Sequence, residues 1–239
     1  MASGQKQDSA ARRPTGPESG PSEPVSRLVR SARRYAARCH ARQRRQSDGA
    51  AFIEHPLEVA RLLRDAGCSE TVIAAGLLHD VIEDTHIDVT ELTACFGSAV
   101  AGLVKAVSDD ASITSYRQRK QLLRQQVRRA GHDAALLFAA DKIAKVRELA
   151  VLVSRDRARF DATPHANRPA GRQLEQDYQL RLEHYHESLN MLQHIAPQHP
   201  LTQRLADELN DCLTTINQIT AAANAPRPHD ARGASRRQP

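Results

Sequence analysis

The segment Leu77-Leu78-His79-Asp80-Val81-Ile82-Glu83-Asp84-Thr85 holds the densest group of residues able to do chemistry. On a helix, residues three and four apart share a face. Asp80, Glu83 and Asp84 therefore crowd their carboxylates together, with His79 beside Glu83. Like charges so placed cost a few tenths of a kcal/mol per pair at a surface and more when buried. The apolar lead-in from Ile73 to Leu78 predicts that the three acids are partly buried. A bound cation relieves such repulsion, and imidazole with carboxylate is a ligand set suited to a borderline divalent ion.

Two adjacent ligands do not complete a site, and two further residues offer the rest. His55 stands before Pro56 at a helix start, where a side chain projects from a fixed backbone. Asp141 lies within LLFAADKIAKVREL as an isolated acid in apolar surroundings, where it needs a partner. Taken singly, each has an ordinary reading: a chance His-Asp dipeptide, a helix-start histidine, an acid paired with Lys142 or Lys145.

The elements that must position these residues read as helices. Val25, Leu28, Val29, Ala32, Ala36 and Cys39 form a stripe at helical spacing, with arginines on the opposite face. A second helix spans His55 to Ala66 and is closed by Gly67; a third opens at Ser69-Glu70 and runs into the His79-Asp80 segment. Further helices are predicted over 89–96, 98–107, 115–129, 133–154, 172–195 and 201–222, with a polar linker over 155–171. No sustained alternation of period two and no internal repeat is present, so the chain reads as all-α. Residues 1–24 hold four of the twelve prolines, and residues 223–239 have a similar makeup. Both read as disordered tails flanking one domain over 25–222, because neither can bury enough apolar surface to offset its ordering entropy.

A chain of 239 residues, 40% hydrophobic and 26% charged, suffices for one such domain with a sizeable core. No run approaches the roughly 18 to 20 apolar residues of a spanning helix, and the first twenty residues hold no apolar stretch fit for a secretory signal. No membrane partner and a cytoplasmic location are therefore expected. Cys39, Cys68, Cys95 and Cys212 lie far apart and read as reduced thiols. Eight arginines and no acid lie between Pro24 and Ser47, which more than accounts for the net charge of +6. A local basic patch points to phosphate-bearing partners. With only Tyr35 and Phe52 as aromatics near it and no nucleic-acid motif, it reads as a solvated helix face that steers anionic nucleotides rather than a base-reading surface.

In order, the motifs CHARQRRQSDGAAFIEHP, AAGLLHDVIEDT and FAADKIAKVREL resemble those of HD-domain metal-dependent phosphohydrolases. The similarity is closest to the hydrolase domain of RelA/SpoT homologues and to the small stand-alone alarmone hydrolases, over about residues 25–155. It implies an HD-domain helical bundle holding Mn²⁺, or another divalent ion, through His55, His79, Asp80 and Asp141. It further implies that Glu83 and Asp84 orient or deprotonate the attacking water. The reaction implied is removal of the 3′-pyrophosphate of the guanosine alarmone (p)ppGpp, giving GDP or GTP.

The same resemblance marks Arg45, Ser47 and Phe52 as purine contacts, with phenylalanine in place of the usual tyrosine. It marks Lys142, Arg147 and Arg181 as contacts to phosphate or nearby groups. Lys145 replaces a sugar-contacting asparagine and Ala144 a larger residue, while Ser115 and Tyr116 stand where small hydrolases can carry lysine. Lys145 either grips an additional phosphate or excludes the usual ribose pose. Two alternatives remain open: the same chemistry on another phosphorylated nucleotide (ppApp, pGpp or NADPH), and a catalytically silent nucleotide-binding module. The ligand type does not choose among Mn²⁺, Fe²⁺, Co²⁺ and Zn²⁺, and the sequence leaves the oligomeric state open.

Overall fold

The computed structural model describes residues 26–162 and 171–224, and every regular element among them is helical. The order is α1 (Arg27–Cys39), α2 (Glu54–Asp65), α3 (Glu70–Leu78), α4 (Val81–Asp84), α5 (Val89–Phe96), α6 (Ser98–Val107), α7 (Tyr116–Ala130), α8 (His132–Ala162), α9 (Gly171–Ile195) and α10 (Pro200–Asn224). Local chemistry fixes several ends. Ser69 Oγ accepts from the Val72 amide at 3.4 Å, and Asp88 Oδ1 accepts from Thr90 and Glu91 at 2.8 and 2.9 Å. After α2, Gly67 adopts φ +74°, a left-handed conformation that a side chain would disfavour.

Two helices form the interior. All of Val72 to Leu78 in α3 is buried, as is all of Ala134 to Ala144 in α8, including Asp141 and Lys142. Helices apolar on every side must be surrounded. Accordingly α3 packs on α1, α2, α6 and α8, and α8 also meets α2, α6, α7, α9 and α10. The metal-ligand candidates on these helices are thereby held by the best-packed part of the bundle.

Gly76 permits the close approach of α2 to α3. A Cβ there would stand 2.5 Å from Leu63 Cδ1 and 3.4 Å from Val59 Cγ1, and both side chains are fully buried. Despite alanine's better helix propensity, Gly76→Ala is expected to cost about 1–3 kcal/mol by overpacking. The measurement is the urea midpoint at unchanged m; an unaltered or raised midpoint contradicts the expectation.

Three expectations are corrected. The third helix does not run unbroken into the acidic segment: it ends at Leu78, and α4 starts after Asp80. The His79 ring explains the break, since its Nδ1 donates at 2.8 Å to the Gly76 carbonyl, the acceptor an uninterrupted helix reserves for the Asp80 amide. Residues 155–162 of the expected linker continue α8 instead. There Arg155 donates to the carbonyls of Gln46 and Ser47 at 2.6 and 2.8 Å, and Tyr178 donates to Asp156 at 2.5 Å. Arg155 and Asp156 thus serve tertiary contacts. The last helix reaches Asn224, two residues beyond its expected end. The expected N-terminal tail, residues 225–239 and residues 163–170 lie outside the described residues. All four cysteines are free thiols, and no helix among the described residues is long and apolar enough to cross a membrane.

Candidate metal centre and its cavity

His55 reaches the centre from the first turn of α2, His79 and Asp80 from the α3–α4 break, and Asp141 from the middle of α8. All four are at most 5% exposed. The Nε2 atoms of His55 and His79 stand 3.2 Å apart. Asp141 Oδ1 lies 3.2 Å from the first and 3.5 Å from the second, while Asp80 Oδ2 lies 3.4 and 3.1 Å from them. Ligand atoms about 2.1 Å from one ion are about 3.4 Å apart in a tetrahedron and about 3.0 Å apart in an octahedron. These five separations fall on that scale; His55, His79 and Asp141 offer atoms that all lie within 4.8 Å of one another, with Asp80 Oδ2 beside both imidazoles.

Hydrogen bonding points the same way. The Gly76 carbonyl can only accept, so the proton of a neutral His79 sits on Nδ1 and its Nε2 presents a lone pair. His55 Nδ1 faces Glu148 Oε1 at 3.4 Å. Asp80 Oδ2 and Asp141 Oδ1 are buried with no hydrogen-bond partner. Four electron-rich atoms thus converge with no donor among them, and this donor set fits a divalent cation. The Gly76 carbonyl and Glu148 are the outer groups that fix ring orientation in such sites.

Without a cation, protons take its place. Burial disfavours the His79 imidazolium, but the carboxylates of Asp80 and Asp141 outweigh it and push this histidine up to about 10. His55 is also raised, by Asp141 and Glu148 against the opposing effect of burial. A pKa raised by folding contributes stability that is complete below the unfolded value, about 6.5, and is lost as pH climbs through the folded value. Metal-stripped protein is therefore expected to lose thermal stability from about pH 6.5 upward, and a divalent ion to raise Tm more at about pH 8 than at pH 6. Thermal melts with and without chelator measure this; a metal-induced shift that shrinks as pH rises contradicts it.

The centre opens on a cavity of about 240 Å³ lined by residues that include Glu83, Lys120, Lys142, Lys145, Arg181 and Tyr185. Lys142 Nζ, buried, donates to Asp141 Oδ2 at 2.5 Å. Lys145 Nζ lies 3.9 Å from Oδ1 of both Asp80 and Asp141. Burial opposes its charge, yet those two carboxylates hold it well above the usual lysine range. Glu83 Oε1 accepts from the Asp109 amide at 2.6 Å. Desolvation by the surrounding walls and the Asp80 charge raise Glu83 above an ordinary glutamate, and burial with Asp80 does the same to Asp84.

The expected sharing of burial by the three acids is corrected: Asp80 is buried, while Glu83 and Asp84 reach solvent because α4 lies at the bundle surface. Asp84 is not on the cavity wall; its carbonyl accepts from Gln43 at 2.8 Å, tying α4 to the turn after α1.

Of the seven residues expected at substrate, Lys142, Lys145 and Arg181 line the cavity. Arg45 pairs instead with Asp48 and lies 3.6 Å from Glu148. Ser47 is buried, its hydroxyl without a partner. The Phe52 ring sits 4.8 Å from that of His40 and 5.9 Å from that of His55. Arg147 is off the cavity wall, donating to Glu58 at 2.7 Å and to Glu208 at 2.8 Å, a clamp joining α2, α8 and α10. Its position two residues past Lys145 turns it by about 200° around the helix, to a different face.

Sequence reasoning missed Glu148, Lys120 and His184. Glu148 had a readable signal, since Asp141, Lys145 and Glu148 recur at i, i+4 and i+7 on one face of α8. Lys120 and His184 had none, being single members of polar helices.

A helical bundle whose core brings two imidazoles and a carboxylate within 4.8 Å of one another, with Asp80 beside them, defines an all-α protein with a buried candidate cation site. More particularly, the HD domain family model matches residues 32–163, over half of the chain, and the chain belongs to that family. It is 39% identical over 118 residues to guanosine-3′,5′-bis(diphosphate) 3′-pyrophosphohydrolase MESH1 of Homo sapiens, covering 48% of this chain and 65% of that protein. It is 33% identical over 161 residues to a GTP pyrophosphokinase of Myxococcus xanthus, 64% of this chain and 21% of the relative. The chain thus spans 65% of the length of the MESH1 protein it matches.

Among solved structures, a metazoan ortholog of SpoT described as hydrolysing ppGpp shares the fold. The TM-score is 0.53 at 24% identity, covering 85% of this chain and 99% of that one. A Listeria monocytogenes EGD-e protein aligns with a TM-score of 0.50 at 28% identity, covering 65% of this chain and 91% of that one.

Proposed function

We propose that this protein is a metal-dependent phosphohydrolase that removes the 3′-pyrophosphate of (p)ppGpp, releasing GDP or GTP, with Mn²⁺ as its ion. The observation that carries this reading is the buried group His55, His79 and Asp141, with Asp80 beside both imidazoles, at a cavity lined by Lys120, Lys142, Lys145 and Arg181. The named activity of the human relative supports the choice of reaction.

When bound, a divalent ion supplies positive charge for a phosphoryl oxygen and brings the pKa of water toward neutrality. Asp141 divides its work: Oδ1 faces the two imidazoles, and Oδ2 is neutralised by Lys142. Glu83, raised in pKa and held by the Asp109 amide, is the carboxylate that takes the proton from the attacking water. Asp84, one position on, assists in orienting that water. Lys142, Lys145 and Arg181 hold the pyrophosphate being released, and charge-assisted hydrogen bonds from such groups are about twice as strong as neutral ones. Of the three residues expected at the purine, Arg45 is held by Asp48 and Ser47 is buried, which leaves the Phe52 ring beside His55 as the purine contact. Arg147 acts from behind this surface, through the clamp that joins α2 to α8.

The test incubates purified protein and Mn²⁺ with ppGpp, pGpp, ppApp or NADPH in parallel and resolves products by ion exchange. Preferred release of pyrophosphate from ppGpp supports the reading. Preferred turnover of ppApp or NADPH reassigns the substrate, and tight binding with no turnover of any of the four leaves a silent module. Lys145→Asn tests whether the ammonium beside Asp80 and Asp141 sets that preference; unchanged ratios among the four substrates rule it out.

A further inference from the structure

Among the described residues, the Glu83 carboxylate makes one hydrogen bond, accepting from the Asp109 amide at 2.6 Å. Asp109 lies in the turn that follows α6, next to the capping residue Ser108. The last carbonyls of a helix have no partner within it, and here Gln126, on α7, supplies one from outside. Its Nε2 stands 2.9 Å from the Lys105 carbonyl oxygen and 3.0 Å from those of Ala106 and Ser108. Carbonyl oxygens only accept, so the side-chain amide must turn its nitrogen toward them, and its two protons are shared among three acceptors.

The rest of the turn is tied to the same helix. Lys120 and Arg119 pair with the Asp109 carboxylate, Arg119 from 3.4 Å, and Arg119 donates to the Ile113 carbonyl at 2.8 Å. Those contacts hold the Asp109 side chain and the far end of the turn, whereas Gln126 holds the backbone that leads from α6 into the Asp109 amide. Packing does little of this work. A cavity of about 260 Å³ is lined by Ser108, Asp110, Ile113 and Gln126 among others, and among the described residues it shares Leu123 alone with the metal-side cavity. A turn backed by a cavity can retreat without a clash, so hydrogen bonds must keep the Asp109 amide at Glu83.

We propose that Gln126 is a positioning residue for Glu83: by gripping the carbonyls of Lys105, Ala106 and Ser108 it fixes the Asp109 amide, which holds the carboxylate toward the metal-side cavity. This rests on the reading of the chain as a hydrolase with Glu83 as the proton acceptor, and the test separates the two.

Gln126→Met keeps the reach of the side chain and removes the donor, while Gln126→Lys restores donors at that reach. Turnover of ppGpp with Mn²⁺ is measured for both, alone and combined with Glu83→Gln. Calorimetry gives Mn²⁺ affinity, and NMR gives hydrogen exchange at the Asp109 amide. A misplacement of about 1 Å can cost about 10²-fold, so Gln126→Met is expected to lower kcat by about 10- to 100-fold, with KM and Mn²⁺ affinity within about threefold of wild type. Exchange at Asp109 should quicken by at least about tenfold as the turn opens locally, and Gln126→Lys should recover most of both losses. In the Glu83→Gln background the change to methionine should cost less than about twofold, because the group it positions no longer takes a proton.

The same fold-loss of kcat in both backgrounds overturns the proposal and leaves Gln126 a support of the fold. Unchanged Asp109 exchange in Gln126→Met overturns it as well. Glu83→Gln that keeps the wild-type kcat overturns Glu83 as proton acceptor and, with it, the role of Gln126 in the reaction, while the hydrolase reading stands. No turnover by wild-type protein overturns the hydrolase reading; faster Asp109 exchange in Gln126→Met then still supports Gln126 as the residue that fixes the Glu83 contact.

Discussion

His79→Ala is expected to abolish tight metal binding and, with it, turnover. The ring does two jobs: Nε2 presents one of the converging lone pairs, and Nδ1 holds the Gly76 carbonyl at the break between α3 and α4. Removing it deletes a ligand and takes from Asp80 Oδ2 and Asp141 Oδ1 one of the two imidazoles each lies against. Changes to outer residues of metal sites cost about 10–100-fold in affinity or activity, and loss of a ligand should exceed about a hundredfold. Glu148→Gln, which alters only the carboxylate facing His55 Nδ1, should fall within the lower range. Calorimetric titration with Mn²⁺ and ppGpp turnover, each on protein shown folded by circular dichroism, measure the two variants. A His79→Ala protein that binds Mn²⁺ like the wild type would falsify the metal-centre assignment.

Glu83→Gln should separate chemistry from binding. The amide is nearly isosteric and can still accept from the Asp109 amide, so the α4 backbone and the cavity are expected to persist. What is lost is the site for a proton. General acid–base groups contribute about 10²–10⁴-fold, and a fall of that size in kcat is expected with KM and Mn²⁺ affinity within a few fold. Single-turnover kinetics on ppGpp exclude product release as the step observed. Retention of more than about a tenth of kcat would assign proton transfer elsewhere, with Asp84 next to be replaced.

Both predictions rest on residues readable in the chain, yet the fold around them was only partly so. Helical periodicity gave the stripe of α1, and local punctuation gave the opening at Ser69 and the closing Gly67, because these are interactions between neighbours in sequence. The same logic failed at two places. It carried α3 through the acidic segment, where the His79 ring takes the Gly76 carbonyl. It also ended α8 early, since the value of Arg155 and Asp156 lies in contacts to Ser47 and Tyr178, distant in sequence.

By itself, the order of residues determined an all-α chain and nominated His55, His79, Asp80 and Asp141, since unusual polar types in apolar helical settings stand out without coordinates. Only the tertiary structure decided that the two imidazoles meet each other and both carboxylates at 3.1 to 3.5 Å, that Arg147 clamps helices instead of lining the cavity, and that Lys120 joins Lys142, Lys145 and Arg181 on the cavity wall. The reason is physical. Periodicity tells which side of a helix is buried, whereas the partner that a buried charge finds depends on how separate helices pack, and that packing is set by the shapes of many side chains at once.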